Sequence, residues 1–230
     1  MLIEGTEEYK TWLQQRVGKC TASRIRDVVA TIKSGGYGAS RERYRGELIV
    51  ERQTGQPYPA YVNQQMRWGN DTQPHAEAAY VLFTGNEVKP AEECYPHAFV
   101  PHPHIEMAGA SPDGFTQDGG LVEFKCPDTH THINTLRTGT VPVEYYDQMQ
   151  FQMSCADRRW CDWVSFDPRM PADRQLFVRR IIRDDARIAE LEREASLFLR
   201  EVAAECAALT KLTPNYLLYN MPVYMKERVG

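Results

Sequence analysis

From residue 6 to Gly85 the apolar positions recur every three or four residues; beyond Glu87 they alternate or gather in short runs. The first spacing predicts helices and the second strands. Residues 6–16 read as a short helix with Trp12 and Leu13 inward. Thr21-Ala22-Ser23 opens a second helix that buries Ile25, Val28, Val29 and Ile32, and Gly35-Gly36-Tyr37-Gly38 breaks it. A third helix runs over about residues 40–54 and a fourth over 67–84, closed by Gly85. Short strands are predicted around residues 87–89, 98–100 and 107–110. Asp118-Gly119-Gly120 then marks a hairpin between Phe115-Thr116 and the run 121–124. Asp128 starts a helix that ends near Gly139, and residues 143–156 form another. Residues 160–166 and 175–178 alternate as strands around the turn Asp167-Pro168-Arg169, and 184–212 is a long helix. The stretch 213–230 has no clear period and reads as packing on a neighbouring subunit. This order of elements predicts an α/β core with a mixed central sheet.

Size and composition fit that picture. The chain has 230 residues, 42% hydrophobic and 25% charged, enough for one large core. A single domain over 1–230 is expected, with N-terminal helices to 85, a sheet core over 86–183 and a C-terminal helix and tail from 184. No apolar run reaches membrane-spanning length, and Met1-Leu2-Ile3-Glu4-Gly5 lacks the charged start of a signal peptide. A cytoplasmic protein is expected. The six cysteines form no C-x-x-C pair, which argues for reduced thiols and against a structural zinc or iron–sulfur site. His102-Pro103-His104 and His130-Thr131-His132 read as loop histidines rather than metal ligands. The net charge of −4 does not advertise nucleic acid, but a local basic lining is compatible with an acidic exterior. Arginines do cluster, at 24 and 26, at 41, 43 and 45, and at 179, 180 and 183.

The chemistry lies on the hairpin. Asp113 precedes it, and Glu123-Phe124-Lys125 forms its second arm. Carboxylates are the hard oxygen ligands that Mg²⁺ takes, usually one or two from a protein. Lys125 adds a positive charge, or a base, beside an attacking water. Alternate residues of a strand share a face, so Glu123 and Lys125 point together toward Asp113 while Val122 and Phe124 take the apolar side. Such a set suits hydrolysis of a phosphodiester.

Several blocks resemble the PD-(D/E)xK nucleases, and among them the lambda exonuclease type of viral recombination enzyme. They are Trp12…Arg16-Val17-Gly18…Thr21-Ala22-Ser23, Trp68-Gly69, Ser111-Pro112-Asp113-Gly114, Glu123-Phe124-Lys125-Cys126-Pro127, Gln148-Met149-Gln150 and Asp167-Pro168-Arg169-Met170. The resemblance implies a restriction-endonuclease-like α/β core, with a mixed central sheet flanked by helices. It implies a Mg²⁺-dependent (or Mn²⁺-dependent) exonuclease that resects linear duplex DNA from the 5′ end, releases 5′-mononucleotides and leaves a 3′ single strand for annealing. By resemblance, Asp113, Glu123 and the backbone carbonyl of Phe124 hold the metal. Lys125 and Gln150 place the water. Arg16, Ser23 and Ser111 take the 5′-phosphate, and Met66 wedges the strands apart. The implied partners are DNA ends, two further copies in a toroidal homotrimer, and a single-strand-annealing protein.

One position departs from the pattern. The family carries a Glu four residues after Gly69, where this chain has Gln73. An amide has no charge, so a second metal site and its helper role are weakened. An introduced Glu-to-Gln change, a position that takes Gln naturally, or a register shift of one turn onto Glu77 each account for it. The rival readings are a sequence-specific endonuclease of the same fold and a DNA-end-binding form with weak catalysis.

Overall fold

The structure, a computed structural model, describes residues 5–59 and 64–212. Thr6 caps α1 (Glu7–Arg16), its hydroxyl accepting the Tyr9 N–H at 3.2 Å. β1 (Cys20–Thr21) leads through a 3-10 turn into α2 (Ile25–Val29). The second predicted helix is therefore shorter than expected. Ala30 is already extended, and Ile32, expected inside, is exposed. A bridge between Thr31 and Tyr37 closes a tight loop there, which Gly35 and Gly36 permit at positive φ. α3 (Ala39–Thr54) and α4 (Gln64–Thr84) follow.

Next come β2 (Val88–Pro90), α5 (Ala91–Cys94), β3 (Val100–Pro101) and β4 (Ala108–Ala110). The strand predicted over 98–100 begins only at Val100, because His97 and Ala98 both sit at left-handed φ. The hairpin forms from β5 (Gly114–Thr116) and β6 (Leu121–Lys125). α6 (Thr129–Thr138) starts on the predicted cap Asp128, which accepts the Thr131 N–H, and ends on Gly139. α7 (Val143–Ala156), β7 (Trp160–Phe166), β8 (Leu176–Ile182) and α8 (Asp185–Thr210) complete the described chain. The reading of 213–230 as a subunit contact lies outside the described residues. Among those residues no helix is long and apolar enough to cross a membrane.

The main sheet has the order β2-β5-β6-β7-β8. β6 and β7 run parallel and the other pairs antiparallel, so the sheet is mixed, as expected. Helices cover both faces. Val122 and Phe124 of β6 and Val164 and Phe166 of β7 pack with Ala76 and Tyr80 of α4. Leu121, Cys161 and Trp163 turn to the other side, against α7, α8, α2 and α3. Tight contacts fix the hairpin: a Cβ on Gly120 would lie 2.4 Å from the Trp160 ring, and one on Gly114 2.3 Å from Val88 Cγ1. α8 is tied down at two points. Arg187 grips Asp147 of α7 with two bonds of 2.7 and 2.8 Å, and fully buried Arg41 of α3 grips Glu201 at 3.0 and 3.1 Å.

His102 is not a loop-surface residue as expected; it is buried beneath α7 and α8. Its Nδ1 accepts the N–H groups of His104 and Ile105, both at 3.1 Å. The proton therefore sits on Nε2, which donates to Glu192 at 3.2 Å beside Ser154. Burial lowers the His102 pKa from its ordinary value, outweighing the opposite pull of Glu192. A second proton would have to enter at Nδ1, against two N–H donors. Above about pH 6.5 the ring is neutral in folded and unfolded chains alike. As pH falls below that value only the unfolded chain takes up the proton, so folding stability drops. His102→Gln is expected to flatten the fall in urea midpoint between pH 7 and pH 5. A slope equal to that of the parent chain would contradict this account.

Candidate active site

β5 and β6 pair through Gly114 with Val122 and Phe115 with Leu121. One step further along the ladder, Asp113 stands opposite Glu123. β5 has already ended there, and Asp113 takes the place of its next rung: Oδ2 accepts the Phe124 N–H at 2.7 Å. The N–H and C=O of one residue in a strand project to the same side, so the Phe124 carbonyl faces this gap too. Oδ1 of Asp113 has no partner among the described residues.

Glu123 is buried at 2% exposure, surrounded only by donors. Lys125 Nζ and Gln148 Nε2, the latter at 2.6 Å, reach Oε1; Gln152 Nε2 reaches Oε2 at 2.7 Å. Gln150 is a correction. It points the other way, donating to the Ile182 carbonyl at 2.9 Å and accepting the Asp184 N–H at 2.8 Å. On a helix, residues four apart share a face and residues two apart do not. Gln148 and Gln152 therefore face the sheet carboxylate, and Gln150 staples α7 to the start of α8. The sequence did carry the signal, a Gln at i and i+4, but the expectation fell on the wrong member of the triplet.

The electrostatics follow from burial and crowding. Burial first, and then the Glu123 charge, raise the Asp113 pKa to about 7, with Lys125 and the Phe124 N–H pulling the other way. Burial opposes the charge on Lys125, but the Glu123 and Asp113 carboxylates outweigh it and push its pKa up. Lys125 thus stands as an ammonium, 5.0 Å from the Tyr145 ring centroid, which favours the charge over the base among its two expected roles.

A buried and a half-buried carboxylate with one lysine carry an excess of negative charge that a divalent cation would relieve. The donor set fits a hard cation: oxygens of Asp113 and Glu123, a strand carbonyl and room for water. Among the described residues no group of three or more His, Cys, Asp or Glu is placed to hold a metal ion.

Asp113 opens onto a cleft of about 810 Å³ between α4, the end of β6 and the start of α7, and Glu123 lies buried behind it. Asp113, Phe124, Lys125, Gln73 and Met66 all line it. Gln73 thus faces the same cleft as Asp113 and Lys125. Pro74, next in α4, has no N–H, so the Asn70 carbonyl lacks its helical bond at the cleft wall. Glu77 does not line the cleft, yet its charge reaches Asp113. Arg169 forms a further wall that motif reading left without a role. It holds buried Asp167 at 2.7 and 3.0 Å, bonds the Pro127 carbonyl at 3.1 Å and lies 4.5 Å over the Trp68 ring.

Beside the cleft, Arg16, Ser23 and Ser111 come together as expected. Arg16 donates to Ser111 Oγ and Ser23 Oγ at 3.1 Å each and to Thr21 Oγ1 at 3.4 Å, and its guanidinium stacks 4.5 Å over Trp12. Trp12 Nε1 also donates to Ser111, at 3.0 Å. Among the described residues no carboxylate pairs with Arg16. Burial lowers its pKa from the ordinary arginine value. A half-buried guanidinium ringed by hydroxyls has the donor chemistry that suits an anion.

A mixed sheet whose hairpin gathers Asp, Glu and Lys at a cleft, with an arginine and two serines drawn together alongside, defines a nuclease of the PD-(D/E)xK class. The chain belongs to the YqaJ-like viral recombinase domain family, whose model matches residues 11–159. It is similar to the alkaline exonuclease LHK-Exo from Laribacter hongkongensis, at 46% identity and a TM-score of 0.79, over 87% of this chain and 96% of that one. A structure of LHK-Exo in complex with dAMP matches over the same shares, at 46% identity and a TM-score of 0.80. A phage-related exonuclease from Haemophilus somnus 129PT shares the fold, at 16% identity and a TM-score of 0.58, over 81% of this chain and 96% of that one. A search of curated protein sequences gives no match. The chain is a DNA exonuclease of a family that typically uses a divalent metal.

Proposed function

We propose that this chain is a Mg²⁺-dependent exonuclease that degrades one strand of linear duplex DNA from its 5′ end, releasing 5′-mononucleotides and leaving a 3′ overhang for strand annealing. The observation that carries the polarity is Arg16, a half-buried guanidinium without a carboxylate partner among the described residues, bonded to the hydroxyl of Ser111. Ser111 lies two residues before Asp113, so the anion pocket and the carboxylates are joined by one short segment.

In this reading Arg16, Ser23 and Ser111 hold the terminal 5′-phosphate, which sets the next phosphodiester before Asp113 and Glu123. Those two carboxylates and the Phe124 carbonyl hold the metal. When bound, a divalent cation supplies Lewis-acid polarisation of the phosphoryl group and a more acidic water. The Lys125 ammonium sits beside Glu123 and stabilises negative charge growing on the phosphoryl oxygens, while Gln148 keeps the Glu123 carboxylate in place. Water adds to phosphorus, the P–O3′ bond breaks, and the 3′-oxygen leaves with the released nucleotide. The new end carries a 5′-phosphate, the group the Arg16 pocket accepts, so each cut prepares the next. Met66, which is exposed and lines the cleft, would part the strands in this reading. The complex of LHK-Exo with dAMP, a nucleoside monophosphate, supports this product class.

We assign the whole of 1–230 to one exonuclease domain that works in the bacterial cytoplasm. Assembly as a toroidal homotrimer beside a single-strand-annealing protein follows from the family likeness. A linear duplex labelled at the 5′ end, incubated with Mg²⁺, tests the polarity. Early release of labelled mononucleotide is expected. Release from the 3′ end first, or equal cutting of covalently closed circles, refutes it.

Gln73 is the weak point of the cleft. It places a neutral amide where a charge would strengthen the hold on cations. Gln73→Glu is expected to raise kcat by roughly tenfold or more, about 1.4 kcal/mol of barrier. An unchanged rate would assign the helper role to Glu77, whose charge already reaches Asp113.

A further inference from the structure

The two oxygens of Glu123 have different surroundings. Oε1 meets Lys125 and Gln148, and Lys125 lines the cleft. Oε2 has one bond, from Gln152, at 1% exposure one helical turn further along α7. The carbonyl oxygen of Gln152 is itself buried with no hydrogen-bond partner among the described residues. A half-satisfied amide in a core is costly, and an apolar side chain of the same length would avoid the cost. The one bond that Gln152 does make goes to the carboxylate.

We propose that Gln152 is a positioning residue for Glu123. It anchors Oε2 from beneath and so fixes the plane of the carboxylate whose Oε1 meets Lys125 and Gln148, the orientation in which Glu123 would hold a divalent cation with Asp113. Asp113 is held on the same plan, with Oδ2 tied to the Phe124 N–H and Oδ1 left for the cleft. Each carboxylate is thereby fixed by one inward oxygen, one by a backbone donor and the other by a side chain. The inference rests on the reading of Asp113 and Glu123 as the metal-holding pair. Without Gln152, Oε2 loses its one bond and only Oε1 stays held, by Lys125 and Gln148; the loss of an outer-shell partner of this kind typically weakens metal binding by about 10–100-fold.

Gln150 provides a matched control. It lies on the same helix, is equally buried, and bonds only to backbone groups away from the carboxylates. Mn²⁺ alone is titrated calorimetrically into the full-length, DNA-free protein, with thermal melts in parallel. Gln152→Met is expected to weaken Mn²⁺ binding by about 10–100-fold, while Gln150→Met lowers the melting temperature and keeps the parent affinity. If Gln152→Met does not fold, Gln152→Asn, one methylene too short to reach Oε2, is expected to show the same weakening. A folded Gln152 variant with parent affinity overturns the inference, as does an equal weakening in Gln150→Met. Glu123→Gln separates the underlying reading: if it binds Mn²⁺ as tightly as the parent, the carboxylate pair is not the metal site.

Discussion

Glu123→Gln is expected to lower the rate of DNA hydrolysis by about 10³-fold or more. The change keeps the shape of the side chain and removes the charge on which the Lys125 ammonium, Gln148 and Gln152 converge. Lewis-acid stabilisation at such a site is worth several kcal/mol, and each 1.36 kcal/mol is tenfold in rate. Asp113→Asn is expected to lose activity by a similar factor with less disturbance of the fold, because its amide oxygen can still accept the Phe124 N–H. Single-turnover rates, with circular dichroism melts to establish folding, check both. A loss below tenfold in a folded variant would remove these carboxylates from the chemistry.

Arg16→Ala is expected to abolish the preference for phosphorylated 5′ ends. Hydrogen bonds to a charged group contribute about 1.5–3 kcal/mol, so kcat/KM on a 5′-phosphorylated duplex should fall by roughly 10–100-fold. The measurement is the ratio of rates on 5′-phosphoryl and 5′-hydroxyl ends of one duplex. That ratio should shrink toward unity in the variant. An undiminished ratio would place the end-reading group elsewhere. The serines are the secondary partners: Ser111 accepts from both Arg16 and Trp12, so Ser111→Ala loosens the arginine as well as removing a donor.

Much of this was legible in the sequence, for identifiable reasons. The hairpin was readable because Asp118-Gly119-Gly120 specifies a turn, and strand alternation then placed Glu123 and Lys125 together. Helix ends at Gly85 and Gly139 and the starts after Asp128 and Asp184 carried their caps in plain view. Ile32 was misplaced because four apolar residues at helical spacing do not reveal where a Gly-Gly loop forces the chain to turn. His102 looked like loop surface because burial beneath two helices distant in sequence has no local signature. Gln150 was chosen over its neighbours for a similar reason. Which face of α7 meets the sheet depends on tertiary packing, and only the register of Gln148 and Gln152 against Glu123 settles it. Gln152 itself lay outside every motif considered.

The Asp113 carboxylate completes the ladder of β6 where β5 stops, by accepting the Phe124 N–H. The same bond closes the frayed end of a hairpin and orients an active-site acid. Loss of order at that sheet edge and loss of catalysis are therefore one event. A form of this hairpin frayed at that end is expected to lose DNA cutting together with its order.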